Sequence, residues 1–421
     1  MVFRLVGVLL CAAPLILHPT AGLAATKDDE LAAMKSELAA TKHELAATRD
    51  ALTNVERRLD ELESSAAVPA QAQSGPRIPP VNIDNPAVSF VVSTLGKTDS
   101  GGGSGWDFAL QSGELFISAP IDPFLRGYAS IAGSTEEGFG IEEAALITTA
   151  LPWNLTAKGG RFFADVGRLP HWHDEQLPFV YRPPSIDRFF GGESGAEGAE
   201  VAWLAPTEQF IRVTAGLYNA VGNERSEELR EDGFDGYRSP DELTWLVHPS
   251  TYFDLTDALN LELGGTYLTV PQHSTRNLYG FDATLRHQPG TSSFYLGFVL
   301  GSEWYWNDEE FQDVEIGVDP VTGDALLGNE RFRRNGGYAY LETFFGRRYS
   351  FGVEGDYAED PSSAANRQRT HSAFASWFPS EFQRLRFQVD QIDPSGADDD
   401  QRFTVQWTAF LGSHAHGFAT R

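Results

Sequence analysis

Of the 421 residues only one is a cysteine, Cys11. It lies in an N-terminal apolar stretch expected to be removed, so the mature chain can form no disulfide and offers no thiolate to a metal. Leu10 precedes it where a lipid-attachment signal needs a small residue, so Cys11 is not read as a lipidation site. Long apolar runs are also missing. After the leader no run of 18 apolar residues occurs, which excludes a membrane-spanning helix. Basic residues are scarce, with 32 Lys and Arg against 59 Asp and Glu, a formal net charge of −27. No nucleic-acid partner is expected of so acidic a chain. His273, His287 and His371 occur singly, with no nucleophile motif such as G-x-S-x-G beside them, so the chain is read as no enzyme.

What is present falls into four parts. Residues 1–24 read as a secretory signal peptide: Arg4, an apolar core over Leu5–Leu17, and the small-x-small site Gly22-Leu23-Ala24. Residues 25–64 read as an α-helical coiled coil. Leu31, Leu38, Leu45, Leu52 and Leu59 recur every seven residues, and Met34, Thr41, Thr48, Val55 and Leu62 sit three further on. A lone solvated helix would also suit the Ala, Glu and Lys content, but the sustained leucine register favours self-association. Threonine at two of the inner positions makes the seam weak, so the helix is expected to assist an oligomer built elsewhere. Residues 65–84, rich in Ala, Pro, Ser and Gln, read as a linker.

From residue 85 to 421 the pattern is all-β. Segments of about ten residues alternate in polarity. In Gln401–Leu411, Phe403, Val405, Trp407, Ala409 and Leu411 share one face, and Thr404, Gln406 and Thr408 the other. Leu385, Phe387 and Val389 oppose Arg386, Gln388 and Asp390 in the same way. Aromatics gather near segment ends, as at Trp304–Trp306 and Trp377–Phe378, like the girdles of a membrane interface. Sixteen such segments can be counted, among them 154–168, 292–306 and 334–345. Short turns follow the even segments, and longer, more acidic links follow the odd ones, including 307–333. That layout predicts a transmembrane antiparallel β-barrel in the outer membrane, with both chain ends and the coiled coil in the periplasm. A large soluble β-sandwich would alternate too, but the leader, the missing cysteine and the loop parity together favour the barrel. The outer loops would meet membrane lipid and lipopolysaccharide.

One link differs from the rest. Arg161–Gly192 is far longer than the usual connection of about 4–6 residues. It carries Trp172, Phe179, Tyr181, Phe189 and Phe190, which disordered segments lack. It is expected to fold into the lumen and narrow it. Arg161, Arg168, Arg182 and Arg188 beside Asp165, Asp174 and Asp187 are the candidate constriction residues, either setting a field across the pore or tying the loop to the wall. His171 and His173, next to Asp174 and Glu175, are candidate ligands for zinc or another divalent cation, and hydrogen-bonding loop residues otherwise. No resident cofactor is expected beyond that.

The stretch GRFFADVGRLPHWHDEQLPFVYRPP, followed by GAEVAWLAPTEQF, resembles Gram-negative outer-membrane porin-like β-barrels related to phosphate-selective porins. An opening NPAVSF and a closing FLGSHAHGF fit the same group, some of whose members are labelled zinc-regulated or receptor-type outer-membrane proteins. The resemblance implies sixteen strands, a homotrimer and a constricting third loop. Passive diffusion of small hydrophilic solutes or ions is the function it implies. A transporter linked to zinc or another divalent cation, or a structural protein tethered through its coiled coil, are the alternatives. The acidic balance argues for weak cation preference and against phosphate selectivity.

Overall fold

The computed structural model describes residues 85–412 except 102–104, 136–137, 227–236, 272–274, 290–295, 319–324 and 364–365, with the side chains of 312–318 also left aside. The expected leader, coiled coil and linker lie outside the described residues, as do an acidic stretch over 227–235 and the two histidines His414 and His416 of the closing FLGSHAHGF.

The described chain forms sixteen strands: β1 (Ala87–Asp99), β2 (Asp107–Asp122), β3 (Leu125–Ser134), β4 (Gly138–Thr148), β5 (Leu155–Phe163), β6 (Gly195–Leu204), β7 (Phe210–Val221), β8 (Thr244–Thr256), β9 (Leu259–Val270), β10 (Arg276–His287), β11 (Leu296–Val318), β12 (Ala325–Phe345), β13 (Tyr349–Glu359), β14 (Arg367–Ser380), β15 (Gln383–Pro394) and β16 (Asp400–Gly412). Each pairs antiparallel with its sequence neighbours, and β1 pairs with β16 from Ser89↔Gly412 to Asp99↔Arg402, which closes the ring. Closure leaves no unpaired strand edge, so every strand has a hydrogen-bonding neighbour on both sides.

The alternation seen in the sequence is realised inside out. On β16 Thr404 and Thr408 are 0% exposed, whereas Trp407 is 54% and Leu411 72% exposed. On β15 Arg384, Arg386, Gln388 and Asp390 are buried, and Phe387 and Val389 face outward. Val88 and Phe90 of β1, Ile211 of β7 and Phe351 and Val353 of β13 continue the outward apolar surface. In water such a surface would be unstable, since apolar area costs roughly 25 cal/mol per Å² when left exposed. An apolar outer band with polar residues inside is the arrangement of a barrel solvated by lipid.

Two boundaries differ from expectation. The segment read as a strand over 154–168 ends at Phe163. There the two-residue period breaks, with Phe162 and Phe163 both buried, and the chain turns inward. The link expected over 307–333 is mostly a hairpin, since β11 runs to Val318 and β12 begins at Ala325. Its charges are paired across the ladder. Arg331 and Arg333 of β12 meet Asp308 of β11 at 2.5 and 3.1 Å, and Asn329 donates to Glu310 at 3.0 Å. Opposite charges facing each other on neighbouring strands support pairing, so an acidic run that looked like a solvated loop extends the sheet.

Candidate functional site: the lumen and its inserted segment

Between β5 and β6 the chain leaves the wall at Ala164 and returns at Ser194. The neck is closed by Ala164 N–H donating to Ser194 O at 2.9 Å and Ser194 Oγ donating to Ala164 O at 2.7 Å. Residues between them bond to side chains of strands on several sides of the ring.

The first turn rests on β9–β11. Gly167 has φ +51, and a Cβ there would lie 2.1 Å from Tyr305 Oη and 2.3 Å from Glu303 Oε2. Glycine alone gives this backbone room to approach and turn. Its N–H donates to Thr266 Oγ1 at 3.1 Å, and the next two amides donate to the Glu303 carboxylate. Arg168 forms an ion pair with Glu262 of β9 and lies 5.0 Å from the Trp172 ring.

The middle of the segment reaches the opposite wall. Arg386 of β15 donates to Phe179 O at 2.5 Å and Leu177 O at 3.0 Å. Val180 is held at both backbone atoms, its N–H by Gln388 of β15 at 2.7 Å and its carbonyl by Gln111 of β2 at 3.0 Å. The Tyr181 hydroxyl bonds Thr404 of β16 at 2.9 Å. Phe179 sits edge-on to Tyr340 and Phe374, with centroids 5.6 and 6.1 Å away.

A short helix, α1 (Pro184–Phe190), then crosses to β10–β13. Proline in its first turn suits a helix start, since no N–H is wanted there. Ser185 donates to Asp356 of β13 through both Oγ, at 2.5 Å, and N–H, at 3.1 Å. Arg276 of β10 donates to Phe189 O at 2.7 Å. Gly336 of β12 makes way for this helix, because a Cβ there would stand 2.9 Å from the Phe189 ring. Phe162, Leu169, Leu177, Phe179, Ile186, Phe189 and Phe190 are all fully buried and form an apolar core with wall residues such as Tyr218, Tyr305 and Tyr338. Each such side chain contributes about 1.5–3 kcal/mol by burial.

The charged residues singled out in the sequence fall into separate places. Arg182 is the staple of the segment. It donates to Leu169 O and Trp172 O, both at 2.8 Å, and pairs with Asp174 at 2.9 Å and Glu193 at 2.7 Å. Asp165 is held at the wall by Arg212 at 3.0 Å, Thr214 at 2.5 Å and His248 at 3.3 Å. Burial would raise its pKa, but the hydrogen bond from His248 and the nearby His171 and Arg212 pull it well below the usual carboxylate range. Arg161 lies 3.7 Å from Glu197 and donates to Glu142 O at 3.2 Å. Arg188 donates to Gln368 at 3.2 Å. Burial, with Glu193 near, pushes Asp174 up to about 6 against the pull of Arg182. Asp187 is pushed up to about 7, chiefly by burial.

His171 and His173 engage different groups. His171 Nδ1 lies 3.4 Å from Val166 O, and burial lowers its pKa although Asp165 is near. His173 faces β2 and β4, with Nδ1 3.2 Å from Glu142 and 3.6 Å from Glu114, and Nε2 3.3 Å from Glu143. Burial opposes its charge, yet Glu114 and Glu142 hold its pKa well above the usual imidazole range. Glu114, Glu303, Asp356, Arg386 and Arg384, which donates to Leu177 O at 3.3 Å, do much of the holding and were not singled out in the sequence as site residues. Their only signal was a place on the polar face of an alternating strand.

No family model matches the chain. An uncharacterized protein of Aquifex aeolicus (strain VF5) is 26% identical over 345 residues, which cover 74% of this chain and 70% of that protein. Among solved structures, Pseudomonas putida OprB superposes with a TM-score of 0.51 at 12% identity, covering 78% of this chain and 94% of that one. A loop-deletion mutant of OmpT, an outer membrane protein of Vibrio cholerae, gives 0.50 at 8% identity, with 78% and 99% covered. At these identities the likeness is one of fold: a closed sixteen-stranded antiparallel barrel of the outer-membrane kind.

Proposed function

We propose that this chain is an outer-membrane channel through which small hydrophilic solutes or ions diffuse passively, narrowed by the inserted segment 164–194. The observation that carries this reading is the inverted wall. Trp407, Val389 and Val353 face out while Thr404, Gln388 and Asp390 face in, around a ring with no open edge. Irregular backbone at membrane depth is tolerated only where protein or a water-lined cavity satisfies it. The bonds to Val180, Ser185, Arg168 and Leu169 from side chains of the wall supply that.

Arg161, Asp165, Arg168, Asp174, Arg182, Asp187 and Arg188 are the constriction residues of this reading. Most act by fixing the segment's shape, which sets the bore. The net charge of −27 favours weak cation preference over phosphate selectivity. A homotrimer, with an N-terminal coiled coil over 25–64 in the periplasm, completes the proposal.

Because Ala164 and Ser194 are already hydrogen-bonded to each other, residues 165–193 can be replaced by a short Gly-Ser link without opening the wall. Single-channel conductance in planar bilayers should rise several-fold in that variant. A folded variant with unchanged conductance sinks the narrowing role, and a parent that conducts strongly anion-selectively sinks the charge argument.

A further inference from the structure

The segment meets the β2–β4 wall around one imidazole and four carboxylates. His173 and Glu175 come from the segment, Glu114 from β2, and Glu142 and Glu143 from β4. Glu114, His173 and Glu175 are each less than 5% exposed, and one ligand atom from each lies within 4.8 Å of the others. Successive residues of a strand normally point to opposite faces. Here Ser130 of β3 pairs with Glu143 and Ile131 with Ile141, so Glu142 is the extra residue of a bulge. Bulges re-aim side chains, and this one lets Glu142 and Glu143 both reach the same imidazole.

We propose that Glu114, His173 and Glu175, with Glu142 beside them, bind one divalent first-row transition-metal ion that fastens the inserted segment to the wall.

The two sides of the ring have different partners. Nδ1 faces Glu142 and Glu114, at 3.2 and 3.6 Å. Nε2 faces Glu143 at 3.3 Å, and Glu143 is itself fixed by Phe163 N–H at 2.9 Å and the Tyr128 hydroxyl at 3.0 Å. A metal-binding histidine usually donates its remote N–H to such an anchored carboxylate, which sets the tautomer and aims the other nitrogen at the ion. The other ligands are anchored too. Ser130 Oγ lies 2.8 Å from Glu114 and 3.0 Å from Glu142. The His173 backbone N–H donates to the Gln176 side-chain oxygen at 2.9 Å, and the ring packs on Phe163 with centroids 4.8 Å apart.

Charge points the same way. Several carboxylates buried together repel one another, and a divalent cation relieves that more fully than one imidazolium. Lys158, the nearby ammonium, is drawn to Glu200 at 2.8 Å. Donor chemistry selects the ion class. An imidazole nitrogen disfavours Mg²⁺ and Ca²⁺, which take oxygen ligands, and a set without thiolate suits Zn²⁺, Mn²⁺ or Fe²⁺. Binding displaces a proton from His173, so affinity should fall on acidification.

The test uses the full chain, stripped with chelator and dialysed against Zn²⁺ at pH 7.5. One Zn²⁺ per chain should remain bound, in the parent and in His171→Ala alike. Glu175→Gln and His173→Gln should weaken binding at least tenfold and lose the metal-induced rise in melting temperature. With Mn²⁺ the parent should show nitrogen hyperfine coupling by pulsed electron paramagnetic resonance, a readout that needs no variant to fold. A folded parent that retains no ion overturns the proposal. So does a nitrogen coupling that persists in His173→Gln and vanishes in His248→Gln. None of these measurements involves conduction, so they stand apart from the channel reading.

Discussion

Glu303 of β11 accepts the Leu169 backbone N–H at 2.7 Å, and with its other oxygen the preceding Arg168 N–H at 3.0 Å. Tyr305 donates to the same carboxylate at 2.5 Å, and Tyr338 donates as well. One wall side chain therefore satisfies two successive amides of an irregular turn. Truncating it as Glu303→Ala leaves both buried and unpaired, at about 1–3 kcal/mol each. A loss on the order of 3 kcal/mol in urea unfolding from lipid vesicles is expected, with noisier open-channel current. Equal midpoints in parent and variant would show that water takes over both amides.

Gly167→Ala should be worse than its size suggests. The left-handed backbone costs a non-glycine residue roughly 1–2 kcal/mol. The new methyl would also stand 2.1 Å from Tyr305 Oη and 2.3 Å from Glu303 Oε2. Relieving the first contact with Tyr305→Phe leaves the second. The folded yield of the double variant should therefore stay low, as read by heat-modifiable migration on gels. Recovery to parental yield would mean that the turn can move away from β11.

The outward face can be tested by charge. Val389 of β15 is 52% exposed in the middle of its strand. An arginine facing the bilayer midplane costs about 2–4 kcal/mol, and near the interface about 0–1. Val389→Arg should lower unfolding stability in lipid by that larger amount. Trp407 on the adjacent strand should be quenched by lipids brominated near mid-chain. Lack of both effects would turn the barrel inside out, with Gln388 rather than Val389 meeting lipid.

The wall was legible because lipid imposes a period of two. At Gln401–Leu411 that pattern alone gave the strand and its two faces, and sixteen segments were countable on it. Legibility failed where charge did something other than meet solvent. Asp308 and Glu310 looked like loop residues because their partners Arg331 and Arg333 lie on the next strand, and pairing across a ladder leaves no local mark. The segment Arg161–Gly192 announced itself by length and aromatics, and Arg182 and Asp174 within it do meet. His171 and His173 shared a sequence neighbourhood but not a set of partners: His171 turns to Val166 O of its own segment, and His173 to carboxylates of β2 and β4. Glu114 is separated from His173 by 59 positions, and nothing local marks a wall carboxylate as the partner of a loop imidazole.

Asp187 offers a pH-dependent test of the segment's seat. It sits on α1 facing Arg182, Asp174, Glu193 and Asp356, and burial above all pushes it up to about 7 from an ordinary 3.8. A carboxyl raised in the folded state binds its proton more tightly there than in the unfolded chain. Stability from this residue is therefore greatest when it is protonated and falls as pH rises from about 4 to about 7. Asp187→Asn removes the charge and keeps the volume. Below about pH 4, where Asp187 is protonated in both folded and unfolded chains, parent and variant should unfold at similar denaturant concentration. By pH 8 the variant should be more stable, by a few kcal/mol at most. Other groups titrate over the same range, so the difference between the two proteins is the quantity to read. A difference that stays constant from pH 5 to pH 8 would show that Asp187 ionises in its seat as readily as in water, with Arg182 close enough to outweigh burial.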